Sequence, residues 1–173
     1  MHIAIVVGNP KPNSRTLNIA RQVAREICDR LDGRIALEID LALHTGSIFT
    51  WPNAEMAELN QAVARSDILV IASPTYKATY TGLLKAFLDR YPSNGLVGVT
   101  AVPVMTGASD LHSMAIETGL RPLLVELGAS VPSRGLYFVM ARIAEVDAQV
   151  RSWADQNLRP GGLIGPSARP VVQ

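Results

Sequence analysis

Three short runs in this 173-residue chain gather polar, small and glycine residues directly behind apolar ones. The first is Gly8-Asn9-Pro10-Lys11-Pro12-Asn13-Ser14, which follows Ile3 to Val7 and leads into Arg15 and Thr16. From Thr16 the apolar residues recur at helical spacing, so this run opens a helix. A helix start presents free N–H groups and a partial positive charge, which suits a phosphate. The hydroxyls of Ser14 and Thr16, the polar Asn9 and the cations Lys11 and Arg15 add to that character. Ser14 or Asn13 also fits an ordinary helix N-cap. The second run, Ser73-Pro74-Thr75-Tyr76-Lys77-Ala78-Thr79-Tyr80-Thr81-Gly82, follows the most apolar stretch of the chain. Pro74 fixes a turn, Thr75 and Tyr76 offer backbone groups to a planar polar edge, and Tyr76 or Tyr80 offers a flat wall. It reads equally as a plain strand-to-helix connection capped by Thr79 or Thr81. The third, Met105-Thr106-Gly107-Ala108-Ser109-Asp110, has small residues that let a flat ligand approach the backbone, or a turn capped by Ser109.

Other chemistries are disfavoured by what the motifs lack. The first run has no second glycine ahead of its lysine, so it is not a P-loop, and it is not G-x-G-x-x-G. His2, His44 and His112 form no helical metal-site pair, and no G-x-S-x-G elbow occurs. Cys28 lies beside the core face of a helix, a poor place for a catalytic thiol. A phosphate ligand after the first strand of a short sheet points to a mononucleotide, with flavin mononucleotide (FMN) the leading candidate. Flavin chemistry needs little from the protein beyond orientation, which fits the missing hydrolytic machinery.

The elements that position these runs alternate throughout. Strands are predicted at Ile3–Val7, Arg34–Leu41, Ile68–Ser73, Val97–Met105 and Ser130–Val139. Helices are predicted from Thr16 to Leu31, Ala54 to Ser66, Tyr80 to Tyr91, Leu111 to Leu127 and Ala144 to Asn157. That alternation implies an α/β three-layer sandwich, a five-stranded parallel sheet with helices on both faces. Ligands of such sheets bind beyond the carboxyl ends of the strands, where all three runs fall. The helix from Leu111 carries Gly119 and Pro122 inside it, which predicts a kink or π-type bulge near Thr118, or else that Gly119 ends one helix and Pro122 sits in the first turn of a second. Residues 1–158 read as one domain and 159–173, rich in proline and glycine, as a flexible tail.

Sixteen basic residues balance fifteen acidic ones, for a net charge of +1. That balance argues against nucleic-acid binding and against an acidic electron carrier of flavodoxin type. One cysteine permits no internal disulfide, and the start of the chain lacks a basic, cleavable leader. No apolar stretch is long enough to span a membrane, so the expected location is cytoplasmic.

The runs Gly8 to Thr16 and Ser73 to Asp89 together resemble the NADPH-dependent FMN reductase family. Within it they are most similar to the reductases of two-component alkanesulfonate monooxygenase systems. The likeness continues through Thr106-Gly107-Ala108-Ser109 and Leu120-Arg121-Pro122-Leu123-Leu124. Asn9 stands where the family usually has serine, Lys11 where it often has arginine, and Thr118 where some members have tyrosine or histidine. The resemblance implies a flavodoxin-like fold that reduces FMN with NADPH or NADH. It implies that Ser14, Arg15 and Thr16 hold the phosphate, with Asn9 and Lys11 in the same loop. Pro74, Thr75 and Tyr76, with Lys77 beside them, would line the ring, and Gly107, Ala108 and Ser109 would close its other edge. Lys11, Arg15 and Lys77 suit either the FMN phosphate or a nicotinamide 2′-phosphate. The family assembles as homodimers or homotetramers, and the apolar Leu83, Leu84, Phe87 and Leu88 suggest a helix covered on two sides. A partner monooxygenase would receive the reduced flavin. The same fold with tightly held FMN would instead reduce quinones, azo dyes or metal oxyanions.

Overall fold

The structure is a computed structural model and describes residues 1–158. The expected tail lies outside the described residues. Strands β1 (His2–Val7), β2 (Arg34–Asp40), β3 (Ile68–Pro74), β4 (Thr100–Gly107) and β5 (Leu136–Val139) form one sheet in the order β2-β1-β3-β4-β5. All neighbours pair in parallel. The fold is the expected α/β flavodoxin-like one, and its strand order reverses between β1 and β3.

The sheet buries two cores by alternation along each strand. Ile3, Ile5 and Val7 face one side with Val70 and Val104, under α1 (Arg15–Leu31) and α5 (Val146–Asn157). Ala4, Val6, Leu69 and Ile71 face the other, under α2 (Ala54–Ala64), α3 (Gly82–Leu88) and α4 (Arg121–Glu126). β3 and β4 are buried at every residue, as central strands covered on both faces must be. β2 is one of the two edge strands, and its first three residues stay exposed.

Several boundaries differ from those predicted, each for a local reason. β4 starts at Thr100 rather than Val97, because Val97 and Gly98 belong to a turn in which the Val97 amide donates to the Asn94 carbonyl. β5 keeps only Leu136–Val139 of the predicted Ser130–Val139. The Ala101 amide donates to the Ser130 carbonyl, so the same edge of β4 turns toward β5 at Pro103 without a donor. The ladder therefore breaks after the Ser130 bridge and resumes at Val104 opposite Leu136. α3 is shorter than predicted because Thr81, in extended conformation, caps it and its side chain accepts from the Leu84 amide. α5 begins at Val146, behind a 3₁₀ segment at Met140–Glu145 whose Arg142 is not helical.

The segment holding Pro122 is irregular in the manner predicted. A π-helical turn at Ile116–Leu120 runs directly into α4, which carries Pro122 in its first turn. At that place proline costs no hydrogen bond. Leu84, Phe87 and Leu88 of α3 are buried within this one chain, and Leu83 is half-buried. The apolar faces of α3 are thus largely satisfied without a second subunit.

Candidate functional site

The three predicted loops meet beyond the carboxyl ends of β1, β3 and β4. They enclose a cleft of ≈ 610 Å³. Loop one contributes Asn9, Lys11, Ser14, Arg15 and Thr16, loop two Pro74, Thr75 and Tyr76, and β4's end Gly107 and Ala108. Lys77 and Ser109, both expected at the site, do not line it.

Loop one is held by its own side chains. The Gly8 amide donates to the Ala72 carbonyl at 2.8 Å, and a side chain at Gly8 would collide with Leu84 of α3. The Thr81 hydroxyl donates to the Gly8 carbonyl from the start of α3. Asn9 turns the loop by accepting from the Lys11 amide at 2.9 Å. Asn13 takes a left-handed conformation, and its amide donates to the buried Asp40 carboxylate at 2.9 Å. Ser14 is the N-cap of α1, its oxygen accepting from the Leu17 amide at 3.2 Å. That bond leaves the hydroxyl proton of Ser14 available to an anion in the cleft. The amides of Arg15 and Thr16 precede the helix's own ladder, and Lys11 and Arg15 are exposed at the mouth.

Thr16 is placed differently from its expected role. Its hydroxyl is buried, bonded to Asn9 Nδ2 at 3.1 Å and to the Thr106 hydroxyl at 2.9 Å. The side chain of Thr16 therefore braces the loop, and its amide is the group left without a helical partner.

Loop two is a tight reverse turn. The Tyr76 amide donates to the Thr79 carbonyl at 2.8 Å and the Thr79 amide returns the bond at 3.3 Å. Lys77 and Ala78 form the tip with positive φ, exposed to solvent, which removes Lys77 from the cleft. The Thr75 amide donates to the Thr106 carbonyl at 2.7 Å. Of the backbone groups of Thr75 and Tyr76 expected to meet a ligand, the two amides and the Tyr76 carbonyl are thus consumed within the protein. Instead the Thr75 hydroxyl oxygen is buried and finds no hydrogen-bond partner among the described residues. A buried hydroxyl left unpaired is costly, and a polar group of a ligand would satisfy it. Tyr76 is 52% exposed on the cleft's flank.

At the third wall, the Tyr137 hydroxyl donates to the Ser109 carbonyl at 3.1 Å, which turns Ser109 away from the cleft. Asp110 pairs with Arg142 at 2.7 Å just outside. Beside this wall the π-helical turn carries Gly119, where a Cβ would stand 2.9 Å from the Thr79 hydroxyl. Glu117 in the same turn accepts from Arg121 at 2.5 Å and from the Gly135 amide at 2.7 Å. Burial alone would raise its pKa, but Arg121, the Gly135 amide and Arg134 outweigh that and hold it below the usual glutamate range.

Asp40, Tyr137 and Met140 were not singled out from sequence, and Thr106, which lines the cleft with Met140, stood in the third run without a role of its own. Asp40 alone carried a usable signal, as a carboxylate at the end of a strand predicted to point at the site. Burial pushes the Cys28 thiol up, and the residue packs beside the α1 core. A second cleft of ≈ 700 Å³ lies on the flank of α2, walled by Trp51, Ala57, Ala64 and Tyr91. Its one cation, Arg90, is spent on the Ile48 and Thr50 carbonyls and on the face of Trp51.

An open parallel sheet with a helix start, exposed cations and an unpaired hydroxyl at its switch point defines a mononucleotide-binding protein of the flavodoxin-like class. The residues present fit FMN. An anion site at α1 and an unpaired buried hydroxyl at Thr75 border one cleft, with Gly107 in its wall.

The chain belongs to the NADPH-dependent FMN reductase family, whose model matches residues 1–143. It is 32% identical over 143 residues to the NADH-dependent FMN reductase SfnF of Pseudomonas putida, covering 79% of this chain and 76% of that protein. It is 28% identical over 140 residues to the FMN reductase (NADPH) of Escherichia coli K12, covering 79% and 72%. Among solved structures, the apo form of an NADH:FMN oxidoreductase (EMOB) superposes with a TM-score of 0.76 at 28% identity, covering 98% of this chain and 97% of that one. An oxidoreductase from Corynebacterium diphtheriae superposes at 0.80 with 26% identity, covering 88% and 92%.

Proposed function

We propose that this protein is a cytoplasmic NAD(P)H-dependent FMN reductase that passes reduced FMN to a flavin-dependent monooxygenase. The observation that carries the proposal is the convergence of two features in one cleft. These are an anion site at Ser14, Arg15 and Thr16, and the unpaired Thr75 hydroxyl. Residues 1–158 then act as one FMN-binding domain.

The flavin, when bound, supplies the two-electron chemistry by accepting hydride from the nicotinamide ring. The chain's own residues bind and orient. The Arg15 and Thr16 amides, the Ser14 hydroxyl and the Arg15 charge hold the phosphate at the start of α1. The Thr75 hydroxyl meets a polar group on the ring, and Tyr76 flanks it. Gly107 and Ala108 let the flat ring lie close to the backbone. Exposed Lys11 beside the cleft and Lys77 at the neighbouring turn tip offer charge to the nicotinamide nucleotide.

Assembly as a homodimer or homotetramer is part of the proposal. Its support is exposed apolar surface rather than α3: Phe49 is 76% and Trp51 62% exposed on the segment leading into α2, with Leu111 and Met114 exposed beside the π-helical turn. Surface of that kind is usually covered by a partner.

The test is gel filtration of purified protein mixed with FMN, followed by turnover with NADPH and with NADH. The proposal predicts colourless protein that oxidises a nicotinamide nucleotide only when FMN is added back. Yellow protein that reduces quinones or azo dyes without added FMN would point to the flavin-retaining alternative. A monomer by light scattering at micromolar concentration would remove the assembly.

A further inference from the structure

We infer that Thr106 is a positioning residue that sets the span between the phosphate end and the ring end of the cleft, and so the selectivity for a phosphorylated flavin. The inference rests on the FMN-binding reading and adds to it a buried residue of the cleft wall whose hydroxyl is engaged by Thr16. Thr106 is the penultimate residue of β4, is only 2% exposed, and joins both of the other loops. Its carbonyl accepts from the Thr75 amide at 2.7 Å, beside the unpaired Thr75 hydroxyl. Its hydroxyl meets the Thr16 hydroxyl at 2.9 Å, in the first turn of α1.

The topology makes that second bond a long reach. β3 lies between β1 and β4, so the Thr106–Thr16 bond spans the end of β3 at the point where strand order reverses. The network behind it is well determined. Asn9 Oδ1 is occupied by the Lys11 amide, which orients Asn9 Nδ2 to donate to Thr16 Oγ1. Thr16 Oγ1 then has one lone pair and one proton left, and Thr106 is its partner for either. The chain Asn9–Thr16–Thr106 therefore locks the helix start to the same residue that holds Thr75. Two groups fixed to one buried residue keep a constant separation. A ligand must match that separation to use both at once.

Riboflavin has the ring without the phosphate and gains nothing from the lock. FMN uses both ends. Loss of the Thr106 hydroxyl should therefore weaken FMN and leave riboflavin nearly unchanged, whereas general loosening of the fold would weaken both.

The experiment is equilibrium binding of FMN and of riboflavin, read by flavin fluorescence, to wild type, Thr106→Val and Thr106→Ser, with apo-protein melting as a fold control. Thr106→Val removes the hydroxyl at nearly constant volume and should cut the FMN-to-riboflavin affinity ratio about tenfold, the worth of one buried hydrogen bond. Thr106→Ser should restore the ratio. Thr16→Val removes the same bond from the other side, together with the one from Asn9, and should lower the ratio at least as far should Thr106→Val fail to fold. An unchanged ratio in a folded Thr106→Val protein, or a Thr106→Ser protein as impaired as the valine variant, would overturn the inference while leaving FMN binding intact. A wild type with no preference for FMN over riboflavin would overturn the phosphate site itself, and this inference with it.

Discussion

Gly107 and Tyr137 occupy each other's space: a Cβ on Gly107 would coincide with the Tyr137 hydroxyl, which itself donates to the Ser109 carbonyl. Gly107 ends β4 on the cleft's third wall, and Tyr137 lies within the adjacent strand β5. Gly107→Ala should therefore destabilise the protein by about 1–3 kcal/mol through overpacking. Tyr137→Phe, which removes the colliding oxygen, should recover part of that loss in the double variant. Thermal melting of the four proteins checks both statements, and a Gly107→Ala melt equal to wild type would contradict them.

The start of α1 should behave as a phosphate site. Replacing Ser14 and Arg15 by alanine removes a hydroxyl and a cation from the cleft. A hydrogen bond to a charged group is worth about 1.5–3 kcal/mol. FMN affinity should fall at least tenfold while riboflavin affinity changes little. Ser14 also caps α1, so part of any lost melting temperature belongs to the cap and not to the ligand. Equal losses for the two flavins would place the phosphate elsewhere.

How far this site was legible follows from which contacts are local. Ser14 capping α1, Thr81 capping α3 and the buried β3 were readable because a turn residue and a change of hydrophobic period mark each one. The π-helical turn was readable from Gly119 and Pro122 within one helical pattern. Asp40 under Asn13, Thr106 against Thr16 and Tyr137 against Gly107 were not, since each contact spans a sequence separation that only the strand order closes. Residues 130–135 looked like strand because their composition allows one. The missing donor that breaks the ladder is on a different strand, at Pro103.

The Glu117–Arg121 pair ties the π-helical turn to the chain before β5, since Arg121 also donates to the Val131 and Ser133 carbonyls at 2.5 Å. Glu117 is held below its ordinary pKa in the folded protein. Its contribution is thus full above the unfolded glutamate range and lost as pH falls through the lower, folded value. Glu117→Gln should cost about 1–3 kcal/mol at neutral pH, partly by leaving Arg121 half-buried without its carboxylate. The difference from wild type should shrink toward strongly acid pH. Urea unfolding at the two pH values measures it, and a difference that grows on acidification would reverse the sign argued here.

The π-helical turn packs against loop two, with Gly119 close to the Thr79 hydroxyl. Pro122→Ala puts a backbone donor where the π-helical turn runs into α4. It should change the FMN dissociation constant without unfolding the protein. Unchanged affinity in a folded variant would leave the turn a purely structural role.

The central claim is that the cleft between Ser14, Thr75 and Gly107 binds FMN for reduction by a nicotinamide nucleotide. Steady-state oxidation of NADPH and of NADH, each with FMN, FAD and riboflavin, tests it most directly. The account predicts flavin-dependent oxidation with FMN strongly preferred over riboflavin. Failure to oxidise either nucleotide with any flavin would contradict it.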